Sequence, residues 1–436
     1  MNLLIKSATI LNPLNKALHL KKRDILVSNG KISKIAAKIQ LPSNTKELKA
    51  KNLHISLGWF DTSVSFGEPG YEERETIANG LLTAAKSGFT GLVLNPNTHP
   101  IPATSSNIVF LKNASQGQLT ALYPLGTLTA KGDGVDLAEL YDMKKSGAVG
   151  FYDYKRPIAN ANLLKIALQY TKNFEGVVYS YPLNEQIAGK GIVNEGPVST
   201  QLGLKGIPTF AEDLRIARDL FILEYTGGKL HIPTISTAGS VKLIAAAKNK
   251  GLNVSCSVAI HQLLYTDDML TTFDANYKVQ PPLRSAKDSK ALIKGLKDGT
   301  IDGVTSDHTP IAIEEKNLEF DNAAYGTLGL ESAFGALNGL LGTEKAVALL
   351  VKGRSLYGIE EPSFEIGTKA NLTLFNPDAE FTFTPEHIWS TSKNSLYFGS
   401  SLKGKVIATI HNNMICLLYT SPSPRDRTRS RMPSSA

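Results

Sequence analysis

The sequence predicts an α/β protein, a (β/α)8 barrel carrying a small composite β-sandwich made from both ends of the chain. Two observations predict it. Through the middle of the chain, helices of about 10–15 residues alternate with short β-branched strands, the pattern of right-handed βαβ units around a parallel sheet. The two ends instead read as short strands joined by turns, and neither is long enough to build a core alone.

Taken in order, Leu3-Leu4-Ile5 and Asp24-Ile25-Leu26-Val27 are β-rich, and Ser28-Asn29-Gly30-Lys31 is a hairpin turn into Ile32-Ser33-Lys34-Ile35. The alternation then begins. Residues 72–87 put Ile77, Leu81, Ala84 and Ala85 on one helical face with Gly88 as the stop, and Phe89–Leu94 follows as a strand. The pattern recurs as helix 212–226 and strand 229–235, helix 240–250 and strand 252–258, and helix 286–298 and strand 301–305. Over roughly 300 residues, a closed barrel is the economical architecture. Strands resume at Asn371–Phe375 and Gly404–Ile410. The expected boundaries are 1–57 and 363–415 for the sandwich and 58–362 for the barrel.

Composition narrows the class. At 436 residues, 42% hydrophobic and 20% charged, the chain has the proportions of a soluble globular protein. It contains no apolar run of the roughly 18 residues a membrane span needs, and its first residues lack a signal peptide's apolar stretch. Cys256 and Cys416 are too few for a disulfide framework, so a cytoplasmic location is expected. From Cys416 the chain reads CLLYTSPSPRDRTRSRMPSSA, without helix or strand period. As plain composition it is a disordered basic tail or a nucleic-acid arm. CLLYTSPSPRD also resembles the in-frame translation of a transposon-type sequencing adapter, and on that reading residues 416–436 are a scar outside the fold. The tail holds a net +3 of the chain's +8, and the remaining +5 is too scattered to suggest a nucleic-acid partner.

Chemistry in such barrels sits at the C-terminal ends of the strands. Four segments stand there: GWFDTSVSFGEPG from Gly58, NPNT from Asn95, GFYD from Gly150 and TSDHTP from Thr305. With EPGYEERETI, GKGIVNEG, PPLRS, GLKDGTIDGVTSDHTP and FDNAAYGTLGLESAFG, they make the chain resemble the dihydroorotases of the cyclic amidohydrolase superfamily across nearly all of residues 1–415. The resemblance implies metal-assisted hydrolysis of a cyclic amide. One or two Zn2+ ions lower the pKa of a bound water toward about 7, and an Asp shuttles the proton. It implies a D-x-H-x-H pair after the first barrel strand, one histidine after each of two later strands, and the Asp of an S/T-D-H motif.

This chain departs from that pattern at every imidazole. Ser63 and Ser65 stand where the first two histidines belong, Tyr181 where the third is expected and Thr234 where the fourth is expected. Asp153 and Asp307 remain. Neutral Ser, Thr and Tyr oxygens are poor substitutes, because they give up a proton only well above neutral pH. The arginine that the resemblance implies for the substrate carboxylate is Gly67, while Asn97, an implied substrate contact, is retained. No metal is therefore expected, and Zn2+ enters only if a rebuilt site exists.

The remaining histidines offer little compensation. His19, His54, His387 and His411 fall in the sandwich segments, His308 belongs to the motif with opposite strand parity, and His231 reads as structural. His99 and His261 are left as candidates near the mouth. Asp307 admits two readings, a proton shuttle or a strand-end hydrogen-bond acceptor. Asp153 reads alternatively as a loop residue ion-paired to Lys155 or Arg156. Gly67, Gly70, Gly189 and Gly191 suit tight rim turns, and Lys190 with Arg284 could form an anion-binding patch. The expectation is a dihydroorotase-like, non-catalytic barrel of pyrimidine biosynthesis. It would assemble with aspartate carbamoyltransferase and pair as a homodimer, as the resemblance implies. The alternatives are an active cyclic amidase with an altered metal site and a metal-free binder of a small anion.

Overall fold

The computed structural model describes residues 1–13 and 15–418. Strands β1 (Asn2–Leu11), β2 (Lys22–Ser28), β3 (Lys31–Ala36), β4 (Lys46–Leu48) and β5 (His54–Leu57) come from the N-terminal end. The barrel follows with β6 (Trp59–Val64), β7 (Phe89–Leu94), β8 (Ala121–Pro124), β9 (Val177–Tyr179), a short ribbon of β10 (Val193–Asn194) and β11 (Gly206–Ile207), then β12 (Lys229–Ile232), β13 (Val254–Ala259) and β14 (Gly303–Thr305). Strands β15 (Leu372–Thr382), β16 (Ser401–His411) and β17 (Met414–Leu417) close the chain. The helices used below are α1 (Ile77–Lys86), α2 (Ser105–Ala114), α3 (Leu140–Lys145), α4 (Ala161–Lys172), α5 (Glu185–Ala188), α6 (Pro197–Leu202), α7 (Phe210–Thr226), α8 (Ala238–Asn249), α9 (Ile260–Leu264) and α10 (Ala286–Asp298).

The chain ends share one sheet in the order β17-β16-β15-β5-β1-β2-β3, with β4 on β1. The two ends meet where β5 pairs antiparallel with β15, Leu57 opposite Leu372. Register shifts in β15 and β16 bend this ladder, as bulges do. At its tip Asn29 and Gly30 both have positive φ, the turn conformation that joins β2 to β3. The core of this unit is Ile5, Ile25, Ile55, Leu372, Leu374 and Ile410. Its last strand corrects the tail boundary: Cys416 pairs with Thr409 and Leu417 with Ala408, so the fold runs beyond residue 415. The rest of the tail, from Tyr419, lies outside the described residues.

Eight parallel staves close the barrel. β6-β7-β8 and β9-β12-β13-β14 are two parallel arcs. Phe151 bridges them, to Gly126 on one side and Val178 on the other, and Val64 bridges His308 at the opposite seam. The fourth stave is thus a single bridging residue, which no periodic sequence signal announces. Side chains of one parity fill the interior, with Phe60, Val93, Tyr152, Tyr179, Tyr181 and Tyr357 in one cluster. Those of the other parity face the helices. Trp59 stacks among Phe89, Phe334 and Phe375, joining the barrel to the sandwich. No helix among the described residues is long and apolar enough to cross a membrane.

Candidate functional site

The mouth is assembled from the C-terminal ends of β6, β7, β9, β12, β13 and β14 and the segment after Phe151. Within β6, Asp61 is buried and accepts hydrogen bonds from Ser63 N (3.1 Å), Thr305 Oγ1 (2.6 Å) and Ser306 N (3.0 Å). This carboxylate therefore laces β6 to β14 across the closing seam. Burial pushes its pKa up, and these hydrogen bonds oppose that shift.

The two serines that replace histidines are already engaged. Asn95 Nδ2 donates to Ser63 Oγ and to Ser65 Oγ, both at 3.1 Å. The amide N–H groups thereby engage a lone pair on each serine oxygen. Tyr181 is buried among Tyr152, Glu212, Asp307 and Arg284, and burial pushes its pKa well above the ordinary phenol value, so it stays a neutral hydroxyl. Its neighbour Ser180 points the other way, donating to Asp219 on α7. Thr234 sits just past β12 with φ +48°, and its buried Oγ1 has no hydrogen-bond partner among the described residues.

Asp307 is the centre of the mouth, and a cation already sits on it. The ammonium of Lys155 lies 3.0 Å from Asp307 Oδ2, with both side chains largely buried. Lys155 has φ +52°, an unusual backbone for a side-chain-bearing residue, and Asp307 has φ +48°. Burial alone would lower the ammonium's pKa. The Asp307 charge and hydrogen bond overcome that and raise it, so Lys155 remains protonated. Its Nζ also lies 5.3 Å from the Tyr154 ring centroid.

Asp153 does not reach this pair. It accepts from Leu128 N, Thr129 N and Thr129 Oγ1, at 3.0, 3.0 and 2.6 Å, which fixes the loop after β8. The expected ion pair of Asp153 with Lys155 or Arg156 is corrected accordingly. Lys155 turns to Asp307, because Asp153 is already satisfied by neutral donors. Arg156 donates instead to the Gly132 carbonyl. The Lys190–Arg284 patch is likewise not formed. Lys190 is exposed, whereas Arg284 is buried and donates to Ser236, Asn194 and the Ile207 carbonyl.

Gly67 leaves no room for the implied arginine. A Cβ built there would lie 1.7 Å from the Tyr71 carbonyl oxygen, because Tyr71 N closes a turn onto Gly67 O. Asn97 is on the loop after β7, its Oδ1 buried and without a hydrogen-bond partner among the described residues. His99 is an exposed rim residue. His261, on α9 after β13, is fully buried with neither ring nitrogen hydrogen-bonded among the described residues, and burial lowers its pKa to about 3. His231 is held between Ser255 and Ser257, and His308 Nδ1 accepts from Gly329 N and Leu330 N.

These residues do not fit a zinc ion. A catalytic zinc takes three protein ligands, usually with imidazole nitrogen among them, and keeps one position for water. Among the described residues no three His, Cys, Asp or Glu side chains converge. The one carboxylate at the centre is engaged by an ammonium, and a divalent ion beside Lys155 would meet like-charge repulsion at close range. Sequence reasoning missed Lys155, Asn95 and Asp61. Only Asp61 carried a signal, as the first residue of the D-x-S-x-S stretch.

The barrel, the composite sandwich and the motif positions together define a cyclic-amidohydrolase-type protein. A family model described as dihydro-orotase-like matches residues 54–240. The chain is 38% identical over 417 residues to a dihydroorotase of Pelotomaculum thermopropionicum, covering 94% of this chain and 97% of that protein. It is 36% identical over 419 residues to a dihydroorotase of Syntrophus aciditrophicus, covering 94% and 98%. The chain belongs to the dihydroorotase family. The fold is shared more widely. The L-hydantoinase (dihydropyrimidinase) of Arthrobacter aurescens superposes with a TM-score of 0.82 at 22% identity, over 95% of each chain. A dihydropyrimidinase from Brevibacillus agri gives 0.80 at 20% identity, over 96% of this chain and 95% of that one.

Proposed function

We propose that this protein is a non-catalytic dihydroorotase-like component of pyrimidine biosynthesis, an assembly partner of aspartate carbamoyltransferase. One observation carries the loss of catalysis: Lys155 is ion-paired to Asp307 at 3.0 Å where the family's chemistry needs a metal-bound water and a free base. Burial raises the Asp307 pKa against the opposing Lys155 charge and hydrogen bond. What disables the site is that an ammonium stands beside this carboxyl and that the residues around it fit no metal to activate a water. The polar groups of Ser63 and Ser65 are spent on Asn95, and Gly67 has no space for an arginine. The substrate's carboxylate thus loses its bidentate partner as well.

The family resemblance supports the choice of partner, since an inert barrel that keeps its fold is useful as an assembly element. The test uses the full chain purified after expression with added zinc, assayed for dihydroorotate turnover and mixed with the transcarbamoylase of the same genome. The expected result is no turnover above the buffer blank and co-elution of the two proteins as one larger species. Turnover that tracks bound zinc contradicts the loss of catalysis. Separate elution of the two proteins at micromolar concentration contradicts the partnership.

A further inference from the structure

A cleft of about 430 Å3 lies away from the barrel mouth, where the sandwich meets the barrel's outer helices. Its walls come from the end of α1, the helix Ala333–Leu341, β15, β16 and the segment around Pro385–His387. None of the residues assembled at the mouth lines it. Small-molecule sites occupy roughly 300–1,000 Å3, so the cleft has the size of one.

The wall chemistry says what fits. Phe334, Phe381, Trp389 and Val406 make it apolar, and Lys51, Lys86 and Lys405 make it positive. Among the described residues none of these three ammonium groups has an ion-pair partner, whereas Lys403, two residues before Lys405, reaches Asp378 at 3.5 Å. Two of them stand beside aromatic rings instead. Lys86 Nζ lies 5.6 Å from the Trp389 ring centroid, and Lys405 Nζ lies 4.4 Å from that of Phe381. The acidic residue in the wall, Glu331, turns little charge outward: its side chain is 1% exposed, and its Oε1 accepts from Ser390 N and Oγ at 3.1 and 2.7 Å. His387 stacks on Phe381 with ring centroids 4.8 Å apart. Burial and the charge of Lys405 lower its pKa, and its Nδ1 accepts from Thr384 N at 3.2 Å. The neutral ring therefore keeps its proton on Nε2, a further donor in the wall. Positive charge beside aromatic faces selects a flat ring that carries an anion. The ring gains apolar and stacking contact, and the anionic group gains charge-assisted hydrogen bonds.

We propose that this cleft binds a small aromatic anion, its ring against Trp389 and Phe381 and its phosphate or carboxylate between Lys86 and Lys405. Calorimetry of the full chain with adenosine 5′-monophosphate and with benzoate tests it, and the two arms separate a phosphate monoester from a carboxylate. At least one probe is expected to bind with a dissociation constant below about 1 mM, and its uncharged counterpart, adenosine or benzamide, roughly tenfold or more weakly. Lys86→Ala/Lys405→Ala, shown to be folded by circular dichroism, is expected to weaken binding by roughly tenfold or more. Binding of neither probe, or binding that the double variant leaves unchanged, overturns the proposal. A second measurement keeps it testable should that variant misfold. The chain's two tryptophans are Trp59, buried in the core, and Trp389, in the cleft wall. The bound probe is expected to change tryptophan emission in wild type and not in Trp389→Phe. No change in wild type, or a change that survives in Trp389→Phe, puts the probe elsewhere and overturns the site.

Discussion

Lys155 Nζ lies 3.0 Å from Asp307 Oδ2 although the two residues are 152 positions apart in the chain. The pair is an internal cation–carboxylate contact in the mouth of a barrel whose family uses that mouth to hold metal. Breaking it from one side leaves a charge buried without a partner, which costs about 3–5 kcal/mol. Lys155→Met is expected to lower unfolding free energy by that amount in urea titrations. Lys155→Met/Asp307→Asn should recover most of the loss, because neither charge is then stranded. A double variant no better than the single one would show that the pair is not what sets stability here.

Asp61 governs closure of the barrel. Its carboxylate is the acceptor for Thr305 Oγ1 and Ser306 N at the seam where Val64 bridges His308. Asp61→Ala strands these donors in a dry interior, and the expected cost is about 3 kcal/mol or more. Loss of less than about 1 kcal/mol would mean the seam is held by other contacts.

The geometry around Gly67 predicts the outcome of an attempted repair. Gly67→Arg is expected to gain no affinity for dihydroorotate by calorimetry, and to lose about 2 kcal/mol of stability, because its Cβ cannot sit 1.7 Å from the Tyr71 carbonyl oxygen without displacing the turn. Even Gly67→Ala should be destabilising. An alanine variant as stable as wild type would show that the turn yields freely.

How much of this was legible follows from where each signal lies. Helix α10 is where the sequence predicts it, bounded by Ser285 and the left-handed Gly299, and β7 also matches, because their signals are local. The expected helix 72–87 overran at its start. Thr76 is the N-cap, and residues 72–76 form the rim turn below it. Strand 229–235 overran at its end, because the backbone reverses at Thr234 with positive φ. Helix α4, capped by Asn160, was missed. In the site, the substitutions Ser63, Ser65, Tyr181 and Thr234 are readable against a motif. The role of Lys155 is not, since it depends on a left-handed backbone and a contact across the barrel. Asn95 was likewise readable only once its amide could be seen between two serines.

Stability should fall in acid for a defined reason. Burial lowers the pKa of His231 and His261 to about 3, against 6.5 for an exposed imidazole. The unfolded chain binds their protons as pH drops below about 6.5 while the folded chain does not, so the stabilisation present above that pH is lost progressively toward pH 3. By pH 5 each contributes a loss of about 2 kcal/mol. Urea titrations at pH 7.5 and pH 5 measure the loss, and His261→Leu should reduce it. Buried carboxyls with raised pKa, Asp61 and Glu212 among them, act in the opposite sense, so the difference between wild type and His261→Leu is the measure. A variant that loses as much stability as wild type would show that this ring takes up its proton in the folded protein.

The central claim is that the mouth holds its own cation and has no place for a divalent one. Elemental analysis of protein expressed in zinc-supplemented medium and then dialysed tests this most directly. The predicted result is far less than one zinc per chain, unchanged by the Asp307→Asn substitution. One or more zinc ions per chain, lost on that substitution, would contradict it.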